Sequence, residues 1–127
     1  MAMTKDEALN LLRRVVAEKG PETNGTNGVY FDQERDSDGY LKPNKTKPHC
    51  IVGHVGVASG VQELIDTLAA DNTVRIRYVG NIGNFIDPDA VAVLEAAQDV
   101  QDHHIKYNPP EETNWGAALA AAERQVR

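Results

Sequence analysis

Residues 48–60 have the sequence PHCIVGHVGVASG, and this segment decides how the middle of the 127-residue chain folds. It contains the one cysteine of the chain, two of its four histidines and its densest apolar run. Because proline suits the first turn of a helix, we predict a helix that begins near Pro48 and is ended by Gly60. Helical spacing would place these side chains on one face: Cys50, Gly53, His54, Val57 and Ala58.

The spacing of Cys50 and His54 permits two kinds of chemistry, a zinc site or a thiol nucleophile with its base. Zinc requires three or four converging ligands, so these two residues would need partners. Those partners would come from this set: His49, His103 and His104. A thiol near a helix N-terminus is activated by the helix dipole, and His49 or His54 would then be its base.

Ordinary packing explains the same residues at least as well. The chain has neither a C-x-x-C nor an H-E-x-x-H motif, and a lone buried cysteine usually behaves as a small hydrophobic residue. We therefore predict no metal and no other cofactor, and we favour a non-enzyme. The weak catalytic candidates that stay open are Cys50, His54 and His104, together with Asp36 or Asp38.

Composition indicates one globular domain over residues 1–127. Hydrophobic residues make up 41% and charged residues 25% of the chain, as in ordinary globular proteins. No apolar signal segment and no stretch long enough to cross a bilayer is visible, and a single cysteine fits a reducing compartment. We therefore expect a cytoplasmic protein with no membrane partner. A net charge of −6 makes nucleic acid an unlikely partner, because such binding needs a broad cationic face.

The remaining patterns predict a mainly helical α+β fold with four or five short helices. Thr4 and Glu7 form a capping box, and Gly20-Pro21 ends that helix. Further helices are predicted from Val61, from Asp87-Pro88 to about His104, and from Thr113 or Asn114 onward. A small antiparallel sheet is predicted from residues 29–31, 40–42 and 74–79, the last because apolar and charged residues alternate there.

Two charged segments could bind ions, but simpler explanations are favoured. Residues 34–39 (ERDSDG) resemble half of a calcium loop, yet Lys45 stands where the bidentate glutamate belongs. An acidic turn with Gly39 at positive φ is therefore predicted. Phosphate binding at the helix start is weakened by Pro48, which lacks an amide, so we expect a solvated basic loop. That loop carries Lys42, Lys45 and Lys47.

Several motifs occur in an order that resembles a known family. In chain order they are residues 28–31 (GVYF), 35–41 (RDSDGYL), 48–55 (PHCIVGHV) and 107–110 (YNPP). The chain is similar to a family of small uncharacterised proteins of actinobacteria and their phages, whose pattern has R-D-x-D-G, W-C-x-x-G-A and W-N-D-x-P motifs. His49 and His54 stand where that pattern has tryptophan and alanine. The resemblance implies a phage or actinobacterial accessory protein, and it implies no catalytic residues.

Two functions from different classes stay open. The favoured one is a non-enzymatic accessory protein that binds another protein through the 21–47 loop, with Tyr30, Phe31 and Tyr40 as contact residues. The same three rings could instead attach the loop to the body of the protein. The alternative is a small hydrolase or transferase, metal-dependent or not, centred on Cys50, His54 and His104. A homo-oligomer is compatible with either function.

Overall fold

The computed structural model describes residues 2–23, 29–107 and 114–126, except for the side chains of 103–107. Within these ranges the chain forms a small single-domain α+β fold, as predicted. The elements in chain order are α1 (Lys5–Lys19), β1 (Phe31–Arg35), β2 (Leu41–Pro48), α2 (Ile51–Ser59), α3 (Gln62–Ala70), α4 (Pro88–Tyr107) and α5 (Trp115–Arg124). Two 3-10 helices, Ile76–Tyr78 and Ile82–Asn84, lie between α3 and α4.

Helix α1 begins where the capping box predicts. The Thr4 hydroxyl accepts a hydrogen bond from the Glu7 amide, and the Glu7 carboxylate accepts one from the Thr4 amide, both at 3.2 Å. These two bonds satisfy amides that a helix start otherwise leaves unpaired. Just before the helix, Met3 forms a parallel bridge with Ile86, which ties the start of α1 to the segment that precedes α4.

Strands β1 and β2 form an antiparallel hairpin that is longer than predicted. Its register pairs Arg35 with Leu41 near the turn and Phe31 with Pro48 at the base. The turn is the predicted acidic one, with Gly39 at φ +86°, a conformation that glycine adopts without steric cost. Pro48 therefore ends a strand, which corrects its predicted place in the first turn of a helix.

Helix α2 begins at Ile51, three residues later than predicted, because Cys50 is its N-cap. It packs tightly against the base of the hairpin: a Cβ added at Gly53 would overlap the carbonyl oxygen of Tyr30. The buried residues of α2 are Ile51, Val52, Gly53, Val55 and Gly56. The predicted face is therefore rotated, and Val57 lies at the surface instead of in the core.

The predicted third strand, residues 74–79, is wrong. This segment contains a 3-10 helix in which Ile76 is fully buried and Tyr78 is 72% exposed, although strand alternation would place both on one side. A side chain from another element decides its path, since the amide of Ile76 donates to Gln98 Oε1 at 3.0 Å. Arg75 and Arg77 do face outward, but they form ion pairs with Glu95 of α4.

The last two helices complete the core. Helix α4 begins at Pro88, as predicted, and continues to Tyr107, three residues past the predicted end at His104. The predicted start of α5 is also confirmed, because Asn114 Oδ1 caps the helix by accepting from the Ala117 amide at 2.9 Å. Alanines at buried positions of α5 let it lie close to α4 and α1.

Candidate functional site

Cys50 is a buried core residue. Its side chain is 2% exposed, and Sγ accepts a hydrogen bond from the Gly53 amide at 3.3 Å. Burial raises the pKa of the Cys50 thiol to about 12. The thiol is therefore protonated at neutral pH, whereas a nucleophilic cysteine needs its thiolate. The helix dipole lowers a thiol pKa, but here its effect is smaller than that of burial.

His54 packs as an aromatic residue. Its Nδ1 lies 3.0 Å from the carbonyl oxygen of Cys50, and its ring meets Trp115 edge-on with centroids 5.1 Å apart. A carbonyl only accepts, so Nδ1 carries the proton. Burial lowers the pKa of His54, which keeps the ring neutral at physiological pH.

The other candidate histidines are not gathered around Cys50. His49 Nδ1 lies 2.7 Å from Asp32 Oδ1 of β1, so this pair links the two sides of the hairpin base. The side chains of His103 and His104 lie outside the described residues. Among the side chains that the structure describes, no three from histidine, cysteine, aspartate and glutamate come together as metal ligands do.

Three buried amide side chains connect the elements around α2, and sequence reasoning missed all three. Gln101 is fully buried, and its Oε1 accepts from the Ile51 amide at 2.7 Å and from Trp115 Nε1 at 3.1 Å. Asn72 holds the hairpin base by exchanging two 3.0 Å hydrogen bonds with the backbone of Phe31. Two of the three could have been found from the sequence, because Gln98 and Gln101 continue the apolar face of α4.

The three predicted contact aromatics divide between the core and the surface. Tyr30 is 1% exposed and Phe31 is buried completely, which corrects their predicted place on an exposed loop. The Tyr30 hydroxyl donates to the carbonyl of Val74 and accepts from Gln98, so this ring attaches the hairpin base to the body. Tyr40 is 70% exposed and its neighbour Leu41 is 54% exposed.

The three lysines of the predicted basic loop are ion-paired. Lys42 lies 3.0 Å from Asp36, Lys45 lies 2.9 Å from Asp66 of α3, and Lys47 lies 2.6 Å from Glu34. Lys47 lowers the pKa of the Glu34 carboxyl, and Lys42 does the same for Asp36. Because each lysine already meets a carboxylate, they do not form a phosphate site. Lys42 and Lys47 link positions within the hairpin, and Lys45 links the hairpin to α3.

The exposed pair Tyr40–Leu41, called the hairpin tip from here on, lies on a turn that is held by side-chain hydrogen bonds. Asp36 Oδ1 accepts from the amides of Asp38 and Tyr40 at 2.9 and 3.0 Å. The Arg35 guanidinium donates to the Gly39 carbonyl at 2.7 Å. Local side chains thus fix the backbone beneath two large apolar side chains that nothing in the described residues covers.

Comparison with protein families, with curated proteins and with solved structures finds no match to this chain. The resemblance drawn from the sequence motifs therefore stays a prediction, and parts of it, residue 28 and residues 108–110, lie outside the described residues. Within the described ranges, no helix has the length and apolar character needed to span a membrane. The hairpin tip is the strongest candidate for function, because it is an organised apolar feature on the surface.

Proposed function

We propose that this protein is a non-enzymatic accessory protein that binds another protein through the hairpin tip. The observation that supports this function is the exposure of Tyr40 and Leu41, 70% and 54%, on a turn fixed by Asp36 and Arg35. A tyrosine offers a large contact area for few rotatable bonds, which is why it is enriched among the residues that dominate binding energies. A turn that is ordered before binding also loses little entropy on binding.

The side chains of the tip, and not the strand edge, are the proposed contact. Strand β2 contains Pro43 and Pro48, which cannot donate backbone hydrogen bonds, and lysines alternate between them. Prolines and charges on an edge strand oppose the addition of another strand. Specificity would therefore come from a pocket in the partner that receives Tyr40 and Leu41.

The alternative hydrolase or transferase has less support. Its nucleophile would be Cys50, whose thiol is buried and has a raised pKa. His54 is engaged with the Cys50 carbonyl and with Trp115. No observation on the described side chains favours this enzyme over the binding protein.

Affinity capture from an actinobacterial host extract tests the proposal, since the sequence motifs resemble actinobacterial and phage proteins. The bait is the whole chain, compared with a Tyr40→Ser/Leu41→Ser variant and with Tyr78→Ser as the matched control. Tyr78 is as exposed as Tyr40 but lies elsewhere, in the first 3-10 helix. We expect a captured protein that the tip variant loses and the Tyr78 variant keeps. Equal capture by all three forms contradicts the proposal.

A further inference from the structure

We propose that the interface has a second half, the apolar groove where α1 faces the α2–α3 corner, and that it receives a cationic amphipathic helix of the partner. This inference rests on the proposed function, because it describes the partner that also contacts the hairpin tip. The lining of the groove, its position relative to the tip and the charges around it support this partner.

The groove, called the corner groove from here on, has a volume of about 320 Å³. Its apolar lining is contributed by α1, by the α2–α3 corner and by the segment before α4: Met3, Leu11, Ala58, Val61, Leu64 and Phe85. Val61 is 41% exposed and the nearby Val57 is 39% exposed. An open apolar groove between helices is the kind of surface that receives the apolar face of a further helix.

Two contacts show that the hairpin runs along α3 toward this groove. At the hairpin base, Phe31 is hydrogen-bonded to Asn72, just beyond the C-terminal end of α3. Nearer the turn, Lys45 forms its ion pair with Asp66, in the middle of α3. Moving toward the tip thus means moving toward the N-terminal end of α3, where Val61 lies.

Element lengths place the tip level with that end of α3 or beyond it. From Lys45 to Leu41 the strand advances about 13 Å at ~3.3 Å per residue. From Asp66 to Val61 the helix advances only about 7.5 Å at ~1.5 Å per residue. Along this direction, Tyr40 and Leu41 lie toward the same end of α3 as Val57 and Val61. They are four of the five large hydrophobic side chains that are exposed among the described residues.

The charges at this end are acidic in sum, which favours a cationic partner. At the turn, Arg35 and Lys42 balance Asp36 and Asp38. At the start of α3 and in the groove lining, Glu7, Glu63 and Asp66 outnumber Lys45. Lys42 and Lys45 are already paired with Asp36 and Asp66. In contrast, the described contacts include no ion pair for Asp38 of the turn, Glu63 at the start of α3 or Glu7 in the groove lining. Lysines or arginines flanking an apolar helix face would meet these carboxylates, and such complementarity steers association and sets specificity.

The same charges argue against the other possible occupants. A second copy of this chain would bring its own net charge of −6 to an acidic surface, and repulsion between like-charged proteins opposes association. An anionic lipid surface would be repelled in the same way. A helix with basic flanks is the occupant that satisfies both the apolar lining and the acidic surroundings.

Two designed probes test the inference on the intact, ¹⁵N-labelled protein. Both are 18-residue amphipathic helices with the same leucine face, one carrying lysines and the other glutamates on the polar face. We expect the lysine peptide to bind, with amide shifts at Tyr40, Leu41, Val61 and Phe85, and the glutamate peptide not to bind. Affinity should fall with added salt, because screening weakens attraction between exposed charges.

Three variants define where the lysine peptide binds. Val61→Ser should weaken binding about tenfold, as the loss of a well-packed contact residue does, and Tyr78→Ser should leave it unchanged. Val61 is the N-cap of α3, a position that favours serine, so this variant keeps its fold, which a thermal melt verifies. Glu7→Gln/Glu63→Gln should reduce both the affinity and its salt dependence.

Several outcomes would overturn the inference. They are equal binding of both peptides, amide shifts away from the corner groove, a Val61→Ser variant that binds normally, self-association through Val61 in sedimentation, or binding to phosphatidylglycerol vesicles. If the tip variant loses the peptide while Val61→Ser keeps it, the groove inference fails and the proposed function stands. If the tip variant still captures its partner from the extract, the proposed function itself fails.

Discussion

Replacing Gln101 with methionine tests the central polar contact of the fold. Gln101 Oε1 accepts from the Ile51 amide, the first amide of α2, and from the Trp115 indole N–H of α5. Methionine has a similar volume and offers only a weak acceptor. The substitution therefore leaves two buried donors without a good partner while leaving little empty space.

The expected loss of stability follows from these two donors. Each buried donor that loses its acceptor costs about 1–3 kcal/mol, so two of them predict a loss of about 2–6 kcal/mol. For a domain of this size, each kcal/mol lowers Tm by about 4 °C, so we expect a Tm lower by about 8–24 °C. Gln62→Met is the matched control, because Gln62 is exposed and donates only to Asp66 on the surface; we expect a change within about 0.5 kcal/mol.

Urea unfolding followed by tryptophan fluorescence measures both effects, because Trp115 is the one tryptophan of the chain. The indole N–H resonance of Trp115 should also move and exchange faster in the Gln101→Met variant. The reasoning is refuted if Gln101→Met matches the parent within about 0.5 kcal/mol at an unchanged m-value. It is equally refuted if Gln62→Met is just as destabilising.

Three further predictions concern α2. Gly53→Ala should destabilise the protein by several kcal/mol or prevent folding, because its Cβ would overlap the Tyr30 carbonyl; Gly83→Ala, where a Cβ meets nothing within 4 Å, should be near neutral in the same urea titration. Burial lowers the folded-state pKa of His54, so as the pH falls the unfolded chain takes up the proton first. The free energy of unfolding should therefore decrease as the pH drops below about 6.5. His54→Gln should reduce this pH dependence, and an unchanged pH dependence would show that His54 is not its source. Burial raises the pKa of Cys50 to about 12, so iodoacetamide at pH 8 should label the native protein far more slowly than the urea-unfolded protein, and equal rates would show an accessible thiolate.

Capping residues in the sequence correctly predicted where three helices begin. The capping box at Thr4 and Glu7, the N-cap at Asn114 and the start at Asp87-Pro88 all depend on residues within one helical turn. Such caps act through neighbouring backbone amides, so their effect is visible in the sequence. The acidic turn before Tyr40 was predictable for the same reason, since Asp36 and Gly39 determine its shape locally.

The errors arose where a distant side chain decides the local structure. The alternation of residues 74–79 predicts a strand, yet the amide of Ile76 is bonded to Gln98, which lies 22 residues later. The amide of Ile51, the first of α2, is bonded to Gln101, 50 residues later. Neither partner can be deduced from the pattern around the segment that it holds.

The residue types of the candidate site were predictable from the sequence, but their exposure was not. Its aromatic residues were identified from the sequence, but only burial separates Tyr40 from Tyr30 and Phe31. A catalytic role for Cys50 and His54 lost support because burial raises the pKa of Cys50 and lowers that of His54. The corner groove joins residues from α1, the α2–α3 corner and the segment before α4, and no sequence pattern links them.

Site-specific photo-crosslinking measures whether the side chain at position 40 contacts a partner protein. Benzoylphenylalanine is placed at position 40, or at position 78 as the control, in the full chain expressed in an actinobacterial host, and the adducts are identified by mass spectrometry. We expect one dominant protein adduct at position 40 that is missing at position 78. The same adducts at both positions, or none at position 40, would contradict it.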